Sequence, residues 1–128
     1  MPNSFAYNDD VKPITQDLLK AKALLKEAGY NEKNPLVFEV VTNTGNDIRV
    51  NTAQILQYQL SKIGVQMKIR VMEWQAFLNT VVHPRKFETV LLGWSLALMP
   101  DAYPLWHSKS AKLGGFNLVN YKNEDRKS

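Results

Sequence analysis

The stretch LVFEVVTNTGNDIRVNTAQILQYQLSKIGVQMKIRV, residues 36–71, changes its hydrophobic period twice. Leu36 to Thr42 is rich in β-branched residues and apolar apart from Glu39, which predicts a central strand covered on both faces. NTGND follows as a loop, with Asn46 or Asp47 placed to cap a long helix. On that helix Val50, Ala53, Leu56, Leu60 and Ile63 form the expected buried stripe, and Gly64 stops it. From Val65 to Val71 the pattern alternates. Val65, Met67, Ile69 and Val71 face one way and Gln66, Lys68 and Arg70 the other, as in an edge strand with one wet face.

The same grammar extends in both directions. Upstream, Asp17 is placed to cap a helix whose Leu18, Ala21, Leu25 and Ala28 share an apolar face, with Gly29 as its left-handed end. Residues 1–16 hold no period and carry Pro2 and Pro13, so they read as an irregular lead-in. Downstream, a short helix is expected with Trp74, Phe77, Leu78 and Val81 inward, ended by His83-Pro84, because the residue before a proline resists the helical conformation. FETVLLGW, residues 87–94, then reads as a third, largely buried strand, and residues 117–128 as a polar tail.

Three strands joined through helices pair in parallel with right-handed crossovers. The expected fold is therefore one α/β domain over residues 1–128, a parallel sheet layered by helices. Its strand order is second, first, third, because the first strand is apolar on both faces and the second is not.

A chain of 128 residues suits one core, and 45% hydrophobic with 22% charged residues excludes disorder and fibrous repeats. The net charge of +4 is scattered over Lys20, Lys22, Lys26, Lys33, Lys68, Arg70 and the tail, without a nucleic-acid-binding motif, so a solvated surface is expected and no nucleic-acid partner. There is no cysteine, which excludes disulfides and thiolate chemistry. No stretch reaches the length of a membrane span, and Met1 to Asp10 lacks the basic start and apolar run of a signal peptide. Neither His83 nor His107 has a second ligand at metal-binding spacing. No phosphate cradle or nucleophile elbow occurs among the six glycines, so no cofactor and no catalytic residue are expected.

GWSLALMPDAYPLWHS, from Gly93 to Ser108, is the segment that this pattern leaves unexplained. It carries no charge before Asp101 and sets Trp94, Tyr103 and Trp106 around two prolines. Trp94 fits a core aromatic closing the sheet end as well as a wall of a binding site. Asp101 suits the cap of a short helix over AYPLWHS.

Taken in order, KAKALLKEAGY (20–30), AQILQYQLSKIGVQMKIRVMEWQAFL (53–78), FETVLLGW (87–94) and GGFNLVNYKNED (114–125) resemble the bacterial extracellular solute-binding proteins of family 5. The resemblance runs from about Ser4 to Asp125. It implies a periplasmic-binding-protein-like sheet of class II, forming part of the C-terminal lobe of a longer, two-lobe receptor. That receptor would be a non-catalytic, extracytoplasmic component of an ABC importer, with its export signal outside this chain. Its partners would be a peptide or related solute, the permease subunits and the N-terminal lobe.

By the same resemblance Gly93, Trp94 and Ser95 line the cleft, with backbone groups able to pair with an extended ligand. Peptide-binding members place an Asp three residues after that Trp, against the ligand's α-ammonium group. Here the position is Ala97, so Asp101 is left as the acidic residue able to meet an amine. The competing reading is a small cytosolic α/β interaction or regulatory domain, basic enough to touch nucleic acid.

Overall fold

A computed structural model describes residues 13–95 and 101–123. Its elements run α1 (Leu18–Glu27), β1 (Val37–Asn43), α2 (Asp47–Ser61), β2 (Gln66–Met72), α3 (Trp74–Phe77), a π-helical turn (Leu78–Val82), β3 (Thr89–Val90) and α4 (Tyr103–Trp106). A 3-10 turn over Ser108–Ser110 follows α4. The sheet has the order β2-β1-β3, parallel throughout, as the apolar faces of the first strand require.

Helix boundaries follow local chemistry. Asp17 accepts the Lys20 N–H at 2.9 Å and Asn46 accepts the Arg49 N–H at 3.1 Å, each satisfying a first-turn donor that has no partner within the helix. Gly29 and Gly64 close the helices with φ of +88° and +81°, a region that costs other residues steric strain. Glu73 was not singled out in the sequence, yet it caps α3, accepting the Ala76 N–H at 3.0 Å. That bond, then the N–H of Gln75 and, more weakly, that of Trp74, holds its carboxyl below the ordinary value. A depressed folded-state pKa makes this cap's contribution complete above the unfolded value and lost as pH falls through the folded one. Glu73→Gln is therefore expected to flatten the acid limb of a stability-against-pH curve while leaving its alkaline limb in place.

Consecutive residues of β1 point to opposite faces and anchor two separate cores. Val40 packs with Ala53 of α2 and Met67 of β2, while Val41 packs with Phe77, Val81 and Val82 from α3 and the π-turn. The sheet thus lies between α2 on one side and α3 with the π-turn on the other, giving the three-layer arrangement expected. Edge exposure of β2 is visible in Lys68 and Arg70, and Arg70 Nε meets Glu39 Oε1 at 3.0 Å across two half-solvated side chains. Such a pair adds little stability, but it accounts for the one acidic residue in the central strand.

Several expectations need correction. The third strand is not an eight-residue buried element: only Thr89–Val90 pair with β1, and Gly93 and Trp94 are exposed. Side chains bracket this short ladder. Glu88 Oε2 accepts the Glu39 N–H at 2.8 Å before it, and Thr42 Oγ1 donates to the Leu91 carbonyl at 3.0 Å after it. With Thr42 supplying a hydroxyl in place of a backbone donor, the chain beyond Leu91 is free to leave the sheet.

The apolar face of α1 is not buried: Ala21 and Leu25 are half-buried, whereas Leu18 and Ala28 are exposed. On α2 only Ala53 of the expected stripe is fully covered, and Leu56 is exposed. Trp74, expected inward, is 38% exposed. The helix it begins widens into a π-turn, which brings Val82 into the core beside Val81.

The expected tail also begins too early, because Asn117 is completely buried. Its Nδ2 donates to the Tyr121 carbonyl at 2.8 Å and to those of His107 and Trp106 at 3.3 and 3.4 Å, and its Oδ1 accepts the Tyr121 N–H at 3.0 Å. A buried amide with all these partners ties α4 to the chain that follows. The polar composition of this region reflects internal hydrogen bonding as well as solvation.

Candidate functional site

In an open parallel sheet, ligands bind beyond the carboxyl ends of the strands, where the chain departs to opposite sides. Here that point lies at the end of β1, since β2 is on one side of it and β3 on the other. Asn43 ends β1, Glu73 and Trp74 follow β2, and Leu92, Gly93 and Trp94 follow β3. All three strand ends therefore converge on one rim of the domain.

Two features of the local sequence build that rim. The Thr44 N–H donates to the Met72 carbonyl at 2.7 Å, joining the exits of β1 and β2. Arg49, in the first turn of α2, donates from Nη1 to Asn43 Oδ1 at 2.6 Å and lies 5.9 Å from the centre of the Trp74 ring. Asn43 is 7% exposed, and its own amide nitrogen is engaged with the Thr44 carbonyl at 2.7 Å. This leaves its oxygen oriented toward the guanidinium.

Of the residues expected to form the site, Gly93, Trp94 and Ser95 stand exposed at this rim. Trp94 is 47% accessible and meets Phe116 edge-on, with ring centroids 5.5 Å apart. It is therefore not a core aromatic within the described chain. Ala97 lies outside the described residues. Asp101 is exposed, and its Oδ1 accepts the Tyr103 N–H at 2.9 Å from one residue ahead of Ala102, the N-cap of α4, so it closes a local turn before the helix without occupying the cap position weighed for it.

Behind these residues the aromatic side chains are paired. Trp106 meets Tyr121 edge-on at 6.3 Å, and Tyr103 stacks on His107 at 4.2 Å. His107 Nδ1 accepts the Lys109 N–H at 3.0 Å, so that nitrogen is committed within the loop. Among the described residues no three His, Cys, Asp or Glu side chains gather as a metal site. A cavity of about 480 Å³ lies between the ends of α1 and α2, lined by Leu25, Tyr30, Leu36, Ile63 and Val65 among others. It is at the amino ends of β1 and β2, opposite the rim.

Sequence reasoning missed Asn43, Arg49, Trp74 as a rim residue, and Phe116. Arg49 carried a usable signal: it falls within the first turn after a predicted cap, next to a strand end. Phe116 carried none, since its contact with Trp94 spans an unpredicted loop.

Residues 1–115 match the family described as "Bacterial extracellular solute-binding proteins, family 5 Middle". The chain belongs to this family. It is 35% identical over 127 residues to the oligopeptide-binding protein AppA of Bacillus subtilis, an alignment covering 91% of this chain and 23% of that protein. It is 38% identical over 96 residues to the dipeptide-binding protein of Escherichia coli, covering 73% of this chain and 18% of that one. The chain thus spans less than a quarter of the length of these relatives.

The structure of Bacillus subtilis AppA in complex with a nonapeptide superposes with a TM-score of 0.82 at 34% identity, covering 99% of this chain and 28% of that one. NikZ from Campylobacter jejuni, solved in complex with Ni(L-His), follows at 0.79 and 28% identity, covering 97% of this chain and 27% of that one. The family 5 chain therefore shares the class II periplasmic-binding-protein-like fold of these proteins.

Proposed function

We propose that this family 5 chain is part of the C-terminal lobe of an extracytoplasmic receptor, the non-catalytic solute-binding component of an ABC importer. The receptor captures a peptide or related solute between two lobes and delivers it to the permease. The observation that carries this reading is the exposed Gly93–Ser95 segment, set at the carboxyl ends of a parallel sheet in a chain of this family. An extended ligand could add itself there as a strand, with affinity from main-chain hydrogen bonds and selectivity from neighbouring aromatic side chains. The names of the relatives, oligopeptide-binding and dipeptide-binding proteins, favour a peptide.

Mass spectrometry of small molecules released from the purified full-length protein tests the reading, together with calorimetry against a pool of short peptides. Peptides enriched over a mock purification, and bound on titration, are the expected result. The absence of both enrichment and binding to any peptide would overturn it.

The mode of recognition has its own test. Residue 97 is alanine and Asp101 Oδ1 accepts the Tyr103 N–H, so Asp101 is the one carboxylate of the Gly93–Asp101 segment and already has a local partner. Burying the α-ammonium of a peptide unpaired would cost several kcal/mol, on the order of 3 or more. The amine is therefore expected to stay in solvent, so that a peptide and its N-acetylated form bind the full-length protein within about threefold of each other. A preference for the free amine that disappears in Asp101→Asn would assign that role to Asp101. One that survives would move the charge partner outside the Gly93–Asp101 segment.

A further inference from the structure

Gly93 lies against a side chain from another element. Its φ is outside the left-handed region, so the backbone does not demand a glycine. Among the described residues, a Cβ placed there would meet one neighbour within 4 Å, Arg49 Nη2 at 3.3 Å, which would have to give by a few tenths of an ångström. The guanidinium therefore rests over the face of residue 93 that a side chain would occupy.

Arg49 is itself held at several points. Its backbone is in the cap of α2, its Nη1 is bonded to Asn43, and its plane lies near the Trp74 ring. Among the described residues it forms no ion pair, so no carboxylate competes for its position. A contiguous path thus runs from Met72 through Thr44 and Asn43 to Arg49 and on to Gly93, joining the exits of all three strands.

We infer that Arg49 is a positioning residue for solute binding. It sets the height and direction of the Gly93–Ser95 backbone at the rim, and a side chain at residue 93 would press on its guanidinium. The inference rests on the reading of that segment as a wall that pairs with an extended solute. It adds that the Cβ face of Gly93 is taken by Arg49, which leaves the backbone N–H and C=O edges, roughly perpendicular to that direction, as the groups that pair with the solute.

The test uses the full-length protein, a peptide selected from the pool above, and the same peptide N-methylated at one backbone amide at a time. Methylation removes a donor for strand pairing without changing charge. In the wild type at least one methylated form is expected to bind about tenfold more weakly. In Arg49→Ala that preference shrinks to within about twofold, because the segment no longer presents its pairing groups in line. Arg49→Lys keeps the cation near Trp74 but cannot both bond Asn43 and cover Gly93, so it recovers the preference only in part. Gly93→Val displaces the guanidinium, and combining it with Arg49→Ala is expected to cost no more than either change alone.

An undiminished preference in Arg49→Ala overturns the inference while leaving the receptor reading intact. Equal binding of all methylated forms in the wild type overturns it too, since there is then no pairing to align. Failure to bind any peptide removes the receptor reading and this inference with it. A purely structural role for Arg49 would lower affinity for the peptide and its methylated forms alike and leave their ratio unchanged, which also counts against it.

Discussion

Replacing Asn117 with alanine is expected to destabilise the protein by about 2–4 kcal/mol, the cost of leaving several buried polar groups without partners. Asn117 is wholly buried, and its amide serves three carbonyls and the Tyr121 N–H at once. Nothing small enough to replace it can reach both sides of that bond set. The loss is also expected to be local, with the segments around Trp106 and Tyr121 becoming sensitive to limited proteolysis before the sheet does.

Asn117→Asp separates hydrogen bonding from size. It keeps the acceptor for the Tyr121 N–H but turns a second oxygen toward three carbonyls, so it should be at least as unstable as alanine near neutral pH. Because protonation restores one donor, stability of this variant should rise relative to the wild type as pH falls through the raised carboxyl pKa. Denaturant unfolding at several pH values checks both statements. A loss below about 1 kcal/mol for Asn117→Ala would show that the amide does not carry the join.

Phe77→Ala is expected to cost about 3–5 kcal/mol, the range for emptying an aromatic site in a packed core. Phe77 is fully buried, packs with Val41, Val81 and Val82, and lies 6.0 Å from the Trp74 ring. It is the main attachment of α3 to the sheet, so the cavity would loosen the layer that carries Trp74. Phe77→Leu retains most of the volume and should cost about 1.5 kcal/mol or less. Equal losses for both substitutions in denaturant unfolding would mean that aromatic shape, not volume, decides the site.

Both residues bear on what could be read in advance. Phe77 was legible, because it sits at helical spacing with other apolar residues between two recognisable breaks. Asn117 was not, because a polar residue in a polar neighbourhood looks the same whether water or backbone carbonyls satisfy it. Arg49 occupies the middle ground. Its place in the first turn of α2 follows from the Asn46 cap, but its bond to Asn43 depends on how far α2 leans over the sheet.

Local sequence determined the element order, the caps at Asp17 and Asn46, the left-handed ends at Gly29 and Gly64, and the parallel order β2-β1-β3. These depend on periodicity, on backbone donors within one turn, and on which faces of a strand are apolar, all properties of neighbours along the chain. Only the tertiary structure decided that the third strand stops after Val90, that the helix after Trp74 widens to bury Val82, and that Trp94 faces outward against Phe116. Those outcomes arise where groups distant in sequence compete for the same space or the same hydrogen bond, as Thr42 does for the Leu91 carbonyl and Arg49 for the face of Gly93.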